Sequence, residues 1–254
     1  MSALEAKAAH RLFVVLLSLG KVNSEIGNEC ERVLVGRTES TGDLKLKYTT
    51  LANRAVWQLD TGDLDVARET LREAGSVVLG TGATHEQQNL ATNWGDLLLR
   101  EGSPSEALER FKQAQALIEP GTRSFLRDVV RAGIGLCEAR LGRLSAAERA
   151  SAALREYEHY YFDPSLLIRL RVELTWRRGR RGEAIELLSD ERSRIEQQFV
   201  PQYLSLGLLE ARLRRRASDP AAIRLASQIK EQAQNLGISS LASQASALAS
   251  SPGD

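Results

Sequence analysis

The chain has 254 residues, a formal net charge of +1, 43% hydrophobic residues and 26% charged residues. This composition excludes an intrinsically disordered chain, and a net charge so close to zero excludes a general electrostatic attraction to nucleic acid or membranes. The charge is nevertheless uneven, because residues 1–165 carry 20 Lys+Arg against 23 Asp+Glu, whereas residues 166–254 carry 14 against 10.

Helical periodicity covers nearly the whole sequence. Ala, Leu, Glu and Arg dominate, only six prolines occur, and no stretch alternates between apolar and polar residues as a half-buried strand would. The sequence therefore predicts an all-α fold of twelve or thirteen helices. Their approximate bounds are 4–19, 23–35, 45–61, 64–79, 85–101, 104–118, 123–141, 144–159, 164–178, 181–197, 201–216, 219–235 and 239–249.

The first predicted helix contains an apolar run at residues 12–19, LFVVLLSL. The run is too short to span a bilayer, and Glu5, Lys21 and the lack of a small-residue cleavage site argue against a signal peptide. A helix that is apolar all round is normally buried on both sides. We therefore expect a cover from a second copy of this chain or from a longer parent protein. Alternatively, the second helix and the loop at 36–45 fold over the first helix and bury its apolar side.

Residues 94–120 form the most regular pair of predicted helices. Apolar residues lead to Gly102, which ends the first helix, and Ser103 and Pro104 suit the N-cap and first turn of the second. The second helix carries an apolar stripe at three- and four-residue steps, at Ala107, Leu108, Phe111, Ala114 and Leu117. This pattern predicts two helices folded back on one another.

Glycines that end an apolar helix recur along the chain with spacings of 42, 40, 40 and 37 residues. They are Gly20, Gly62, Gly102, Gly142 and Gly179. Alanine follows four of them by five residues, at Ala67, Ala107, Ala147 and Ala184, and a small residue precedes three of them by seven, at Ala55, Gly95 and Gly135. Such self-similarity is typical of a repeat solenoid, in which small residues let paired helices pack closely.

These positions resemble the tetratricopeptide repeat (TPR) family, which has a small residue in its first helix and alanine near the start of its second. The repeat of roughly 40 residues is similar to the longer TPR variety found in sensory regions of bacterial signalling ATPases and transcription activators, rather than to the usual repeat of about 34. The resemblance implies a right-handed superhelical solenoid in a single domain. Its parts are an atypical hairpin at 1–41, the best-matching repeats at 42–198, a C-terminal hairpin and capping helix at 199–249, and a disordered tail at 250–254.

No pattern of catalytic or metal-binding residues occurs in the sequence. The three histidines and two cysteines lack metal-ligand spacing, and the loop at 80–84 has neither the strand nor the lysine of a phosphate-binding loop. We therefore predict a non-enzymatic protein with no cofactor and no metal. The two cysteines, Cys30 and Cys137, are too sparse for a disulfide framework, which indicates the reducing cytoplasm.

The resemblance also implies a binding surface, the concave face formed by the first helices of the repeats. Arginine can bind a carboxylate through two parallel hydrogen bonds, and asparagine can bond a peptide backbone on both sides. We therefore expect a protein or peptide partner, or, alternatively, a sensory or autoinhibitory segment of a larger signalling protein. The family's groove positions fall on Asn53, Asn89, Asn93, Asp96, Arg100, Arg140, Arg169, Glu173 and Arg177.

The arginine-rich region at 169–216 suggests nucleic-acid binding as a further alternative, because basic residues with nearby aromatic side chains can bind single-stranded nucleic acid. The aromatic residues just upstream are Tyr157, Tyr160, Tyr161 and Phe162. Glutamates alternate with these arginines, and the chain uses 28 Arg but only 6 Lys, so arginine is its usual cation. An acidic protein partner is therefore favoured over nucleic acid.

Overall fold

The structure, a computed structural model, describes residues 3–119, 125–154, 164–195 and 199–250. Over these ranges the chain forms thirteen helices and no strand, which confirms the predicted all-α class. The helices are α1 (Ala3–Ser18), α2 (Glu25–Thr41), α3 (Leu44–Thr61), α4 (Leu64–Thr81), α5 (Thr84–Arg100), α6 (Pro104–Ala116), α7 (Phe125–Arg140), α8 (Leu144–Ala152), α9 (Ser165–Arg177), α10 (Arg181–Ile195), α11 (Val200–Arg216), α12 (Ala221–Asn235) and α13 (Ser239–Ser250).

Helix α2 is longer than predicted, because it continues to Thr41 instead of ending at 35. Gly36 does not interrupt the helix, and the hydroxyl groups of Thr38 and Thr41 donate hydrogen bonds to carbonyls one turn earlier. Gly42 then ends the helix, with a φ of 66° and a backbone N–H bonded to the carbonyl of Thr38. The segment predicted as a loop is thus mostly helical, and the Thr38 and Thr41 hydroxyl groups are accommodated by bonds to backbone carbonyls of the same helix.

Two other predicted segments fall partly outside the described residues. Helix α8 ends at Ala152 rather than at 159, and residues 155–159 are not among those described. Ser250, the first residue of the tail predicted at 250–254, is the last residue of α13, and the rest of that tail lies outside the described ranges. The aromatic cluster upstream of α9, at 157–162, also lies outside them.

All five glycines of the predicted repeat adopt left-handed backbone conformations, with φ values of 71°, 82°, 84°, 81° and 80° in chain order. Side chains with a Cβ rarely take this conformation, so glycine lets each helix end and the chain fold back at once. The predicted helix ends at these positions are therefore confirmed.

Phe111 of α6 packs between α5 and α7, and it fits because two glycines face it. A Cβ atom on Gly95 would lie 2.8 Å from the Phe111 ring, and one on Gly133 would lie closer still. The ring itself is fully buried. The alanines predicted at close helix contacts are also fully buried, at Ala55, Ala67, Ala107, Ala147 and Ala184. Small residues therefore set the distance between the helices, as the pattern predicts.

Helices α3, α5, α7 and α9 contact one another in succession and form one continuous layer. We call these four helices the inner layer. Helices α4, α6 and α8 each pack against the inner-layer helix before them in the chain. Helix α11 also contacts the inner layer, at α3 and at Arg169 of α9.

Helix α11 returns to the beginning of the chain, where it packs against α3 and α1. Gln202 of α11 donates a 2.7 Å hydrogen bond to Asp60 of α3, and the Ser240 hydroxyl donates a 3.1 Å bond to the carbonyl of Gly62. Leu236 and Ile238 surround Gly20 at the end of α1. The C-terminal helices therefore close the chain against its N-terminal helices and cover part of the inner layer.

Helix α1 is buried on one side only. Phe13, Leu16 and Leu17 pack against α2 and α3 in a core that includes Leu34 and Trp57. The opposite side leaves apolar side chains exposed to solvent, with Leu12 at 43%, Val15 at 51%, Leu19 at 36% and, in α2, Ile26 at 59%. Helix α2 does not cover this side of α1, because Ile26 of α2 is itself part of the exposed apolar surface.

Candidate functional site

A cleft of about 720 Å³ opens where the carboxyl-terminal ends of α7 and α9 meet α11 and the start of α10. Three of its arginines lie in the last turn of a helix, where cations interact favourably with the carbonyl groups of the helix end. The folding of successive helices brings these ends to one place. The cleft, called here the arginine cleft, is lined by Arg140, Glu173, Trp176, Arg177, Gly179, Arg181, Leu209, Arg212, Leu213 and Arg216.

The arginine cleft carries five arginines and a single carboxylate, a formal charge of +4. That carboxylate, Glu173, accepts a 2.5 Å bond from Nε of Arg177. The guanidinium of Arg181 lies 5.5 Å from the centre of the Trp176 ring. Burial, and then the neighbouring Arg216, lower the pKa of the Arg212 guanidinium. Arginines that repel one another in a partly desolvated cleft favour an anionic ligand, which would offset that repulsion.

Arg100 and Arg140 make the same backbone contact, one hairpin apart. Nη1 of Arg100 donates a 2.6 Å bond to the carbonyl of Leu59, and Nη1 of Arg140 donates a 2.6 Å bond to that of Leu99. Each arginine is the last residue of its helix, and each accepting carbonyl lies in the last turn of the preceding inner-layer helix. Both residues therefore join neighbouring helices of the inner layer.

Behind the cleft, Arg100 lies at the centre of a buried group of charges. Its Nη2 donates to Asp60 at 2.7 Å and its Nε donates to Asp96 at 2.9 Å. The Asp60 side chain has no exposed surface, and its second oxygen accepts the bond from Gln202. These contacts satisfy Asp60, but Oδ1 of Asp96 and Oε1 of Gln202 are buried without a hydrogen-bond partner among the described residues.

Arg169 of α9 interacts electrostatically with this group of charges. Its Nη2 donates a 3.1 Å bond to the Ser205 hydroxyl of α11, whereas its Nε is buried with no hydrogen-bond partner in the part of the chain that the structure describes. The pKa of Arg169 is lowered to about 10, chiefly by burial and then by the neighbouring cation Arg100, while the carboxylates of Asp96 and Asp60 oppose the shift. Arg140 also lowers this pKa. Arg140 itself lines the arginine cleft.

The asparagines predicted for binding lie elsewhere on the inner layer. Asn89 accepts a 2.9 Å bond from the Tyr48 hydroxyl and a 3.2 Å bond from the side-chain amide of Asn93. Tyr48 is buried, and this burial raises the pKa of its hydroxyl. Asn53 is half-buried on α3. Two of the three asparagines therefore form part of an internal hydrogen-bond network between α3 and α5.

The predicted nine residues thus separate into three groups. The arginine cleft contains Arg140, Glu173 and Arg177, and the buried group behind it contains Asp96, Arg100 and Arg169. The three asparagines lie on α3 and α5.

Sequence reasoning missed that Trp176, Arg181 and α11 complete the arginine cleft. The recurrence of arginine in the last turn of α7, α9 and α11 is the signal that could have located it.

Most arginines of the region 169–216 are paired with carboxylates rather than aligned as a continuous basic surface. Arg178 bonds Glu148 at 2.8 Å, for example, and Arg214 bonds both Glu210 and Asp219. Other pairs join Arg171 to Glu191, Arg180 to Glu183, Arg192 to Glu210 and Arg194 to Glu191. The excess of positive charge is therefore concentrated in the arginine cleft.

Across the described ranges, no group of three or more His, Cys, Asp or Glu side chains could hold a metal ion. Cys30 and Cys137 are both buried free thiols. Among the same residues, none of the helices combines the length and the apolar character that crossing a membrane requires. Comparison with protein-family models finds no match to the chain, and comparison with curated proteins finds none either.

Proposed function

We propose that the protein is a non-catalytic binding scaffold that holds an acidic segment of a partner protein in the arginine cleft. The single observation that carries this proposal is the charge of the cleft, in which five arginines accompany one glutamate. Trp176, Leu209 and Leu213 add apolar surface between the cations. A cleft with both features suits a peptide whose acidic side chains alternate with apolar ones.

The helical scaffold of this proposal is a TPR-like array with long repeats that turns as a right-handed superhelix. The helix-ending glycines and buried alanines at about 40-residue spacing support this assignment. In the proposal the ligand does not lie along the whole inner layer, because α11 contacts α3 and α9 there. The two buried free thiols support a place in the reducing cytoplasm.

A second candidate function is that of a sensory segment that docks onto another polypeptide through α1. The observation that favours it is the exposed apolar side of that helix, where Leu12, Val15, Leu19 and Ile26 lie together with a groove between α1 and α2. A contiguous apolar surface of this kind on a folded chain is typical of an interface. A second copy of this chain would satisfy the same surface.

Fluorescence anisotropy with a labelled acidic peptide, whose Asp and Glu residues alternate with Leu, tests the first proposal. We expect binding that weakens with salt, and we expect Arg177→Glu with Arg216→Glu to weaken it by at least about tenfold, or 1.4 kcal/mol. Arg140 is left unchanged because it joins α7 to α5.

The matched control is Arg149→Glu with Arg224→Glu, which makes the same change of net charge at exposed sites outside the cleft. Equal loss of binding in both double variants would mean that the peptide responds to overall charge and not to the cleft. A single-stranded oligonucleotide of similar charge serves as the competitor. If it displaced the peptide at equal concentration, nucleic acid would replace the acidic segment as the favoured ligand.

A further inference from the structure

The exposed side of α1 carries a straight apolar seam. Ala8, Leu12, Val15 and Leu19 follow one another at steps of four, three and four residues, and all of them are exposed. Leu19 follows the last residue of α1 but continues its turn, because its N–H donates a 3.0 Å bond to the carbonyl of Val15. Alternating steps of three and four residues are typical of the seam along which two helices pair. This seam, called here the α1 stripe, therefore suits contact with another helix.

Two basic residues lie along one edge of the α1 stripe. Successive residues of a helix are turned by about 100° around its axis, so Leu12 lies between Arg11 on one side and Phe13 on the other. Phe13 packs in the same core cluster as Cys30 of α2, which places Arg11 on the edge away from α2. Lys7 lies one turn before Arg11 on the same edge, and both are exposed. We call Lys7 and Arg11 the basic pair.

Two acidic residues lie along the opposite edge, on α2. Glu25 and Glu29 are exposed and line one groove together with Leu12 of the stripe, and we call them the acidic pair. Among the described residues, Glu25 and the basic pair form no ion pair. Glu29 pairs with Arg32, an exposed residue of its own helix, and such a surface pair contributes little. Both edges of the stripe therefore remain available to charges from outside the chain.

These features make the surface self-complementary. The basic pair lies in the first half of α1, whereas the acidic pair lies in the first turns of α2, just beyond the end of α1. The two pairs are thus diagonally opposite one another across the α1 stripe. A twofold axis that lies in the surface and crosses the stripe obliquely brings each pair onto the opposite pair of a second copy. A surface with an apolar middle and opposite charges on its two sides therefore fits its own copy.

We propose that a second copy of this chain covers the α1 stripe and forms a symmetric dimer, in which the basic pair of each chain binds the acidic pair of the other. Burial of the two stripes stabilises the dimer, and the charges select its orientation. This inference rests on the second candidate function, because it uses the same exposed surface, and it names the partner as a copy of the chain. It is independent of the arginine cleft.

Charge reversal tests the proposed pairing in solution. The full chain should sediment as a dimer in analytical ultracentrifugation. Lys7→Glu with Arg11→Glu, and separately Glu25→Lys with Glu29→Lys, each place like charges at both charged contacts of the dimer. Each double variant should therefore dimerise at least about tenfold more weakly than the original chain.

Mixing the two charge-reversed variants gives the decisive measurement. In a mixed dimer the reversed α1 of one variant faces the reversed α2 of the other, and the unchanged pairs face one another at the second contact. An equimolar mixture should therefore recover the dimer, and native mass spectrometry identifies it by its mixed mass. A mixture that stays monomeric, although both variants keep the circular dichroism of the original chain, would overturn the proposal.

Two further variants keep the result specific. Arg149→Glu with Arg224→Glu makes the same change of net charge as reversal of the basic pair, at exposed sites outside α1 and α2, and it should leave the dimer intact. If a charge-reversed variant fails to fold, Lys7→Gln with Arg11→Gln removes the same cations without adding like charge. It should still weaken the dimer, and an unchanged dimer in this variant would contradict the proposed contact.

The dimer and the proposed functions fail in different ways. A chain that is monomeric at every concentration would overturn the dimer and leave the second candidate function, docking onto a different polypeptide, as it stands. A dimer that persists in both charge-reversed variants would overturn the α1 stripe as its contact. A dimer that reforms on mixing, in a chain that binds no acidic peptide, would overturn the arginine-cleft proposal and keep the dimer.

Discussion

Gln202 and Asp60 are joined by a 2.7 Å hydrogen bond across 142 positions of sequence, inside the contact between α11 and α3. Asp60 is the shared acceptor of that contact, because it also binds Arg100 at 2.7 Å. A single buried carboxylate therefore holds α3, α5 and α11 together. Removal of the Asp60 carboxylate should therefore weaken the contacts of α3 with both α5 and α11.

Asp60→Ala should destabilise the protein by about 3–5 kcal/mol, because it leaves the guanidinium of Arg100 buried beside one carboxylate instead of two. Urea denaturation followed by circular dichroism measures the change. Asp65→Ala is the control, since Asp65 is exposed in the first turn of α4, and its loss should change stability by less than about 0.5 kcal/mol. Similar midpoints for the two variants would contradict the bridging role of Asp60.

Gly133→Ala should destabilise the protein by about 1–3 kcal/mol, because the added methyl group would collide with the fully buried Phe111 ring. Gly182→Ala is the matched control. Gly182 lies in α10 with nothing within 4 Å of the added Cβ, so alanine should raise stability by up to about 1 kcal/mol through its better helix propensity. Thermal unfolding compares the two, and a stable Gly133→Ala protein would show that Phe111 is not confined between α5 and α7.

Cys137 should resist thiol reagents in the folded protein. Burial raises the pKa of its thiol from 9.0 to about 12, so very little reactive thiolate forms near neutral pH. Because the folded pKa is the higher one, the associated stability is fully present below about pH 9 and declines as the pH rises toward 12.

Single-cysteine variants test this expectation. Burial, and then Glu29, also raise the pKa of Cys30, but Cys30 lines the open groove between α1 and α2. The Cys137→Ala protein should therefore label faster than the Cys30→Ala protein, and denaturant should remove the difference. Faster native labelling of Cys137 would mean that the core around α7 opens readily.

Self-association should depend on the exposed side of α1. If two chains pair through this surface, Val15→Glu will place two charges in an apolar contact and shift the protein to a monomer in light-scattering measurements. Val66→Glu changes an equally exposed valine on α4 and should leave the association state unchanged. A monomer at all concentrations before mutation would leave α1 available to a different protein instead.

The helices themselves were predictable because their determinants are local. Apolar residues recur at helical spacing, and glycines such as Gly102 end one helix and allow the next to fold back. The last turns of α2 are rich in Ser and Thr, residues that favour turns as well as caps, so the sequence did not indicate that the helix continues to Thr41. The bounds of α2 were therefore less predictable than those of the regular repeats.

The return of α11 was not predictable from any local pattern. Ser205 and Gln202 lie on the inward side of a helix whose neighbours in sequence are α10 and α12, and nothing in their spacing points to Arg169 or Asp60. The TPR resemblance implied that Asp96, Arg100, Arg140 and Arg169 belong to one face. It could not indicate that part of this face is covered by the chain itself, because the cover depends on contacts between distant segments.

The contact between α11 and α3 restricts the number of helical hairpins that this protein can contain. A linear array of repeats can gain or lose a unit, because each repeat contacts only its neighbours. Here an additional hairpin between α3 and α11 would move Gln202 away from Asp60 and Ser240 away from Gly62. Duplication of a repeat would separate the C-terminal helices from the N-terminal helices, so the contacts between the two ends of the chain fix the number of hairpins.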